Sequence, residues 1–425
     1  MKQSTNNLLI ILLLVCLSLL NVCLSSENDH DTNFYYNEFP LSSGARCLDG
    51  SKYGAYFSKG YGSGKYSIVF AFWGGGGCLG RDRDGVLQQC FDRSKTFLGS
   101  STFWPKTPIS EAPSKFGLLS GIPEVNPNFY NWNRIDIPYC DGLGHSGYIE
   151  KPINFKDSDL YFRGQENVLV ALQWAFSQIG TDYLENFVVT GCSAGGGATF
   201  AWSQYITDYL FKLNSKAKVF GIADSGFFID HINQNTKDHD FLLKMEQSFK
   251  IANSEITPIN NVCINDHKGQ EYLCIFAETI SDYIKIPFLM LQPGYDSWQI
   301  NNILGENCIN KGSISDCSND QQINIQEYKQ AQNNLVKKVL AKKTNFAVWC
   351  PACLTHCWTE DNFYNKSWAV PDASGNTINV AIEKFMKAGM EQTGNRDMDD
   401  EVDWPDVLMA KKRVVSKFLI KIYLY

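Results

Sequence analysis

Short apolar runs recur along the chain at 66–73, 187–190, 219–224, 286–291 and 346–349, and Arg134-Ile135-Asp136-Ile137-Pro138-Tyr139 reads as one more strand. Runs this continuous suit strands buried on both faces of a parallel sheet. Helical spacing fills the intervals. Val168, Leu169, Leu172, Phe176 and Ile179 fall three and four residues apart, and Gly180 then stops the helix. Similar spacing covers 194–213 and 324–342. Strands alternating with helices predict an α/β fold resembling the α/β-hydrolases, mainly parallel, with helices on both faces of the sheet. Glycines at 50, 54, 60, 62 and 64 predict short strands joined by turns. Residues 27–39 read as loosely ordered, 81–134 as loop-rich with Arg81–Asp84 a solvated charge cluster, and 391–406 as an exposed acidic stretch. No internal repeat or low-complexity linker divides 26–425, which is taken as one domain.

Composition narrows the class. With 425 residues, 44% hydrophobic and 20% charged, the chain can build one large core. Its net charge of −7 and lack of a basic run exclude nucleic acid as an expected partner. Lys2, the apolar Leu8–Leu20 and small residues up to Ser25 resemble a cleaved signal peptide over 1–25. The apolar part is about 13 residues, short of the roughly 20 that span a bilayer, so the expectation is a monomer without stable membrane insertion, secreted or kept in the lumen of the secretory or endolysosomal pathway. Twelve cysteines follow the leader, an even number that allows six disulfides in an exported chain, with the pairing open. Zinc at Cys350-Pro-Ala-Cys353 with Cys357 is the competing reading, but no second C-x-x-C accompanies it. Asn365-Lys366-Ser367 is a sequon, so Asn365 is a candidate glycosylation site.

The chemistry centres on Gly191-Cys192-Ser193-Ala194-Gly195, a G-x-S-x-G pentad between a predicted strand and a predicted helix. Such an elbow thrusts its serine outward at a helix N-terminus. Serine needs a base, and the base needs an orienting acid. His356 follows the last predicted strand and so fits the order serine, acid, histidine. His231, His239 and His267 lack a preceding strand. Asp296 follows the strand at 286–291 through a Pro-Gly turn; Asp224, also just past a strand end, is the rival acid. An oxyanion would take N–H donors from Ala194 and from the Gly74–Gly77 loop, with Gly74 and Gly75 foremost. Trp73, His145 and Trp298 are candidate substrate contacts. Cys192 reads as structural. No metal or other cofactor is expected.

These residues together resemble the pectin acetylesterases and the Notum carboxylesterases. The carriers of the resemblance are Gly74-Gly75-Gly76 with Cys78, Tyr139-Cys140-Asp141-Gly142, the elbow, Ala223-Asp224-Ser225-Gly226-Phe227-Phe228, Tyr295-Asp296-Ser297-Trp298-Gln299 and Cys353-Leu354-Thr355-His356-Cys357. The resemblance implies Ser193 as nucleophile, Asp296 as acid, His356 as base and an α/β-hydrolase variant as the fold. It also implies an acylated polysaccharide or acylated protein as substrate. O-acetyl groups on a pectin-like polymer come first, then a lipidated protein, then an inactive glycan- or lipid-binding relative; a peptidase is a further alternative. Where the family usually carries Glu before the glycines and Trp ahead of the cysteine, this chain has Trp73 and Gly77, a departure that bears on pocket shape.

Overall fold

The computed structural model describes residues 30–214, 216–252, 259–309, 314, 316–359, 377–391 and 396–398. The expected signal peptide, the Asn365 sequon and most of the acidic 391–406 stretch lie outside them.

Nine strands form the main sheet: β1 (Tyr35–Glu38), β2 (Gly54–Ser58), β3 (Ser67–Phe72), β4 (Asn133–Ile137), β7 (Asn186–Cys192), β8 (Lys218–Asp224), β9 (Phe288–Leu291), β11 (Phe346–Cys350) and β13 (Arg396–Met398). The short pairs β5 (Ile153–Phe155) with β6 (Ser158–Leu160) and β10 (Tyr295–Asp296) with β12 (Leu354–Thr355) stand apart from it. The order is β1-β2-β4-β3-β7-β8-β9-β11-β13, parallel from β4 onward, with β1 and β2 added antiparallel at one edge. The continuous apolar runs are the central strands: every residue of β3 and of β9 is buried. The expected loose segment at 27–39 is corrected in part, because Tyr35–Glu38 pairs with β2.

Register aligns the carboxyl ends of the central strands. Phe72 lies opposite Gly191, Cys192 opposite Asp224, Asp224 opposite Leu291, and Leu291 opposite Trp349. The ladder then runs one residue further, with Ser193 N–H donating to the Asp224 carbonyl, Ser225 to Leu291 and Gln292 to Trp349. Loops carrying Trp73–Gly77, Ser193, Asp296 and His356 therefore leave the sheet along one rim, where α/β folds place their ligands.

The loop-rich reading of 81–134 is corrected over Arg83–Arg93, which is a helix. Asp82 caps it by accepting from Gly85 N–H, and Val86, Leu87 and Cys90 are buried beneath. Residues 81–84 are exposed, as the solvated reading expects, and Arg81 also pairs with Asp238 at 2.8 Å and Asp240 at 2.6 Å. Among the described residues there are five disulfides where the even cysteine count allowed six: Cys47–Cys140, Cys78–Cys90, Cys192–Cys357, Cys263–Cys274 and Cys308–Cys317. Cys350 and Cys353 are buried and belong to none of these bridges. Cys357 is joined to Cys192, which takes from the zinc alternative its third thiolate. Among the described residues no helix is long and apolar enough to cross a membrane.

Asp136 on β4 is fully buried, accepts Ser114 N–H at 3.1 Å, and is pushed by burial up to about 7. Between its ordinary value near 4 and that point, the folded chain keeps a proton that the unfolded chain releases. Stability therefore falls as pH rises through this window and stays lower above it. Asp136→Asn should flatten the slope: urea unfolding at pH 5 and pH 8 is expected to show wild type losing on the order of 2–4 kcal/mol relative to the variant.

Candidate active site

At the elbow the backbone takes the conformation the pentad predicts. Ser193 has φ 59° and ψ −123°, left-handed space that a non-glycine residue enters only under constraint. Gly191 permits the turn, because a Cβ there would lie 2.6 Å from the Gly195 carbonyl oxygen and 2.7 Å from that of Phe72. Helix Ala194–Leu213 starts immediately afterwards. Its first N–H groups have no partner in the preceding turn. Among the described residues nothing accepts from the N–H of Ala194.

The acid and the histidine meet through two parallel dipeptides. Register in the β10–β12 pair sets Asp296 opposite Thr355, so His356 follows directly. Its Nδ1 lies 2.9 Å from Oδ1 and 3.0 Å from Oδ2 of Asp296. Asp296 is fully buried, and its Oδ1 also accepts the N–H groups of Trp298 and Gln299, each at 3.0 Å. Those backbone donors fix the direction of the carboxylate. The rival, Asp224, has a different task. It accepts the N–H of Thr359 at 2.7 Å and its hydroxyl at 2.8 Å, while Ser225 Oγ accepts Cys357 N–H at 2.9 Å. Asp224 and Ser225 thus anchor the chain just past His356, and burial raises the Asp224 pKa.

A covalent tie brings the histidine to the elbow. Cys192, the residue before Ser193, is bonded to Cys357, the residue after His356. A ring nitrogen of His356 and both bridge sulfurs lie within 4.8 Å of one another. The structural reading of Cys192 is borne out. His239 instead pairs with Asp230 at 2.8 Å, and His267 sits against the Cys263–Cys274 bridge.

The glycine loop lies against the serine. A Cβ on Gly74 would come within 2.6 Å of the Cys192 carbonyl and 3.1 Å of the Ser193 Cβ, so only glycine allows this approach. Gly75 and Gly76 have φ of 121° and 63°. Among the described residues nothing accepts the N–H of Gly74, Gly75 or Gly76.

A pocket open to solvent, about 860 Å³ of space with its mouth included, begins at Ser193 and Ala194. Its walls are Ala198 and Ala201 of the elbow helix, then Phe228, Phe241, Met245 and Phe249. The last three belong to a helix, Asp240–Ala252, that the sequence reading left unassigned; its apolar residues at four-residue spacing were the available signal. Trp298 lines the cavity and stacks on His356 with ring centroids 6.1 Å apart. Trp73 and His145 do not reach it. Trp73 is buried against Phe97 and Trp104. The expectation of His145 as a substrate contact is corrected likewise, because its buried ring bonds the Trp73 carbonyl behind the loop at 3.0 Å.

Comparison with known proteins gives the chain a family and a shared fold. The family model described as Pectinacetylesterase covers residues 25–409. Pectin acetylesterase 4 of Arabidopsis thaliana is 34% identical over 61% of this chain, a stretch spanning 58% of that relative's own length. Pectin acetylesterase 5 of the same plant is 28% identical over 80% of this chain and 76% of its own. The palmitoleoyl-protein carboxylesterase notum1a of Danio rerio is 26% identical over 88% of this chain and 69% of its own. Among solved structures, the Wnt deacylase Notum from Drosophila superposes with a TM-score of 0.72 at 20% identity, covering 88% of this chain and 97% of that one. This likeness shows a shared fold.

Removing the elbow bridge with Cys192→Ala and Cys357→Ala together should release the segment bearing His356. The bridge closes a separation of 165 residues, against 9 for Cys308–Cys317. Hydrogen exchange across 354–359 is expected to rise, with a stability loss of roughly 2–5 kcal/mol by calorimetry; the Cys308/Cys317 pair of substitutions should leave that segment protected.

Proposed function

The chain belongs to the pectinacetylesterase family, and from that premise we propose that it is an exported serine carboxylesterase with Ser193 as nucleophile, His356 as base and Asp296 as its orienting acid. The observation that carries this reading is the paired contact of Asp296 with His356 Nδ1 beside the bridge that ties Cys357 to the elbow. With Nδ1–H donated to the carboxylate, Nε2 keeps its lone pair for the serine proton. Ser193 Oγ attacks the ester carbonyl, and the negative oxygen turns to the N–H groups of Ala194 and of the Gly74–Gly76 loop. The carbonyl re-forms as the alcohol leaves with the proton from His356. Water, deprotonated by the same histidine, then frees the acid from the acyl-enzyme. These steps use side chains and backbone alone. Five disulfides agree with an oxidising, extracellular destination.

Of the two acyl classes expected, the cavity favours the larger. An acetyl group would leave most of its apolar wall unused, whereas each further buried methylene contributes about 0.8 kcal/mol. Gly77 lines the cavity where the family usually has Trp, and a Cβ built there meets nothing closer than 3.4 Å. The side on which the alcohol leaves is more polar, a cleft bordered by Arg93, Lys244 and Asn302 that shares Trp298 with the acyl cavity. This pairing suits a fatty acyl ester carried on a polar polymer or protein surface.

The test is kcat/KM on p-nitrophenyl esters from acetate to palmitate, with Ser193→Ala as control. Activity is expected to climb beyond acetate by up to about fourfold per methylene until the cavity is full, and Ser193→Ala should lose at least 10³-fold. Gly77→Trp should shift the optimum toward short chains. An optimum at acetate in the wild type would restore the O-acetyl substrate, and an active Ser193→Ala would remove the nucleophile.

A further inference from the structure

The donors of the glycine loop stand next to the elbow, yet glycine offers the backbone more freedom than any other residue. Something must hold their direction. In a trans peptide the carbonyl and the following N–H point opposite ways, so gripping one aims the other. Two carbonyls of this loop are gripped from behind. Trp73 O lies 3.0 Å from His145 Nε2, which fixes the peptide that carries the Gly74 N–H. Gly75 O accepts from Arg93 Nη1 at 2.8 Å, which fixes the peptide that carries the Gly76 N–H.

Both grips are themselves braced. The Arg93 Nε donates to Leu98 O at 2.9 Å, and the guanidinium sits 4.5 Å from the centre of the Tyr139 ring. His145 stacks on the same ring at 4.7 Å. Its backbone N–H donates to Asp141 Oδ1 at 3.1 Å, and its carbonyl accepts from Trp202 Nε1 at 3.2 Å. Tyr139 is locked as its hydroxyl accepts Gly144 N–H at 2.9 Å. A carbonyl oxygen can only accept, so His145 must carry its proton on Nε2. Burial lowers the pKa of this imidazole and favours its neutral form. His145 lines neither opening, and Arg93 borders the polar cleft but not the acyl cavity at Ser193.

We propose that Arg93 and His145 are positioning residues for ester hydrolysis: by holding the Gly75 and Trp73 carbonyls, they aim the loop's N–H groups at the oxyanion without touching it. The inference rests on the serine esterase reading above.

The test compares a p-nitrophenyl ester with its thiono analogue, in which sulfur, a poor hydrogen-bond acceptor, replaces the carbonyl oxygen. Wild type should prefer the oxygen ester. Arg93→Met and His145→Leu should each lower kcat on it roughly 10- to 100-fold at little-changed KM. Their rates on the thiono ester should barely move, so the preference shrinks. Arg93→Lys and His145→Gln, which keep an N–H donor within reach, should recover part of it, and thermal melts identify any variant that does not fold. A folded Arg93→Met or His145→Leu that slows both esters equally, or neither, overturns the positioning role while the esterase reading stands. A wild type without oxygen preference, or an active Ser193→Ala, overturns both.

Discussion

The bond between Cys192 and Cys357 is the constraint on which the site depends. One half belongs to the last residue of a central strand and the other to a loop beyond the final central strand, so two distant parts of the sequence are joined at the rim of the sheet. In the chain-entropy picture, closing a loop of this length removes on the order of 5 kcal/mol of freedom from the unfolded chain. It also sets where the loop can go. The histidine between Thr355 and Cys357 has Asp296 on one side by strand pairing and the elbow on the other by covalent attachment. The polar contacts from Asp224 and Ser225 to residues 357 and 359 then remove the rotation that a single tether would leave.

Around that bridge the site divides into parts of differing rigidity. The elbow and the acid stand on buried strand ends, where register leaves little choice. The glycine loop has no such support from its own side chains, and its shape comes from residues packed behind it. The apolar cavity is different again. One wall is the elbow helix and the other is Asp240–Ala252, a separate element whose contacts with the sheet are fewer. The proposed reaction geometry and the proposed acyl choice are therefore carried by different segments.

Much of this was legible in the sequence because it is written locally. Continuous apolar strands, the pentad with its glycines and the order of serine, acid and histidine all lie in short stretches. The choice of Asp296 over Asp224 rested on order alone; the structure supplies the physical reason in the β10–β12 pair and in the occupation of Asp224 by Thr359. The helix at Arg83–Arg93 was missed because only Val86, Leu87 and Cys90 are apolar on its inner face, amid charge. Arg93 went unnoticed with it. His145 was misplaced for another cause. Its position after a strand end was read correctly, but nothing in sequence tells which side of a loop a ring will occupy.

The order of the sheet has a consequence for when the proposed site is complete. Strands β3 and β7 deliver the glycine loop and the serine in the first half of the chain, whereas the histidine arrives only at residue 356, beyond β11. During vectorial synthesis the nascent polypeptide therefore carries the proposed nucleophile without its proposed base until roughly four-fifths of the 425 residues have emerged. Formation of the Cys192–Cys357 bond must then still draw that late segment home. On the proposed reading, silence during synthesis is a property of the threading itself.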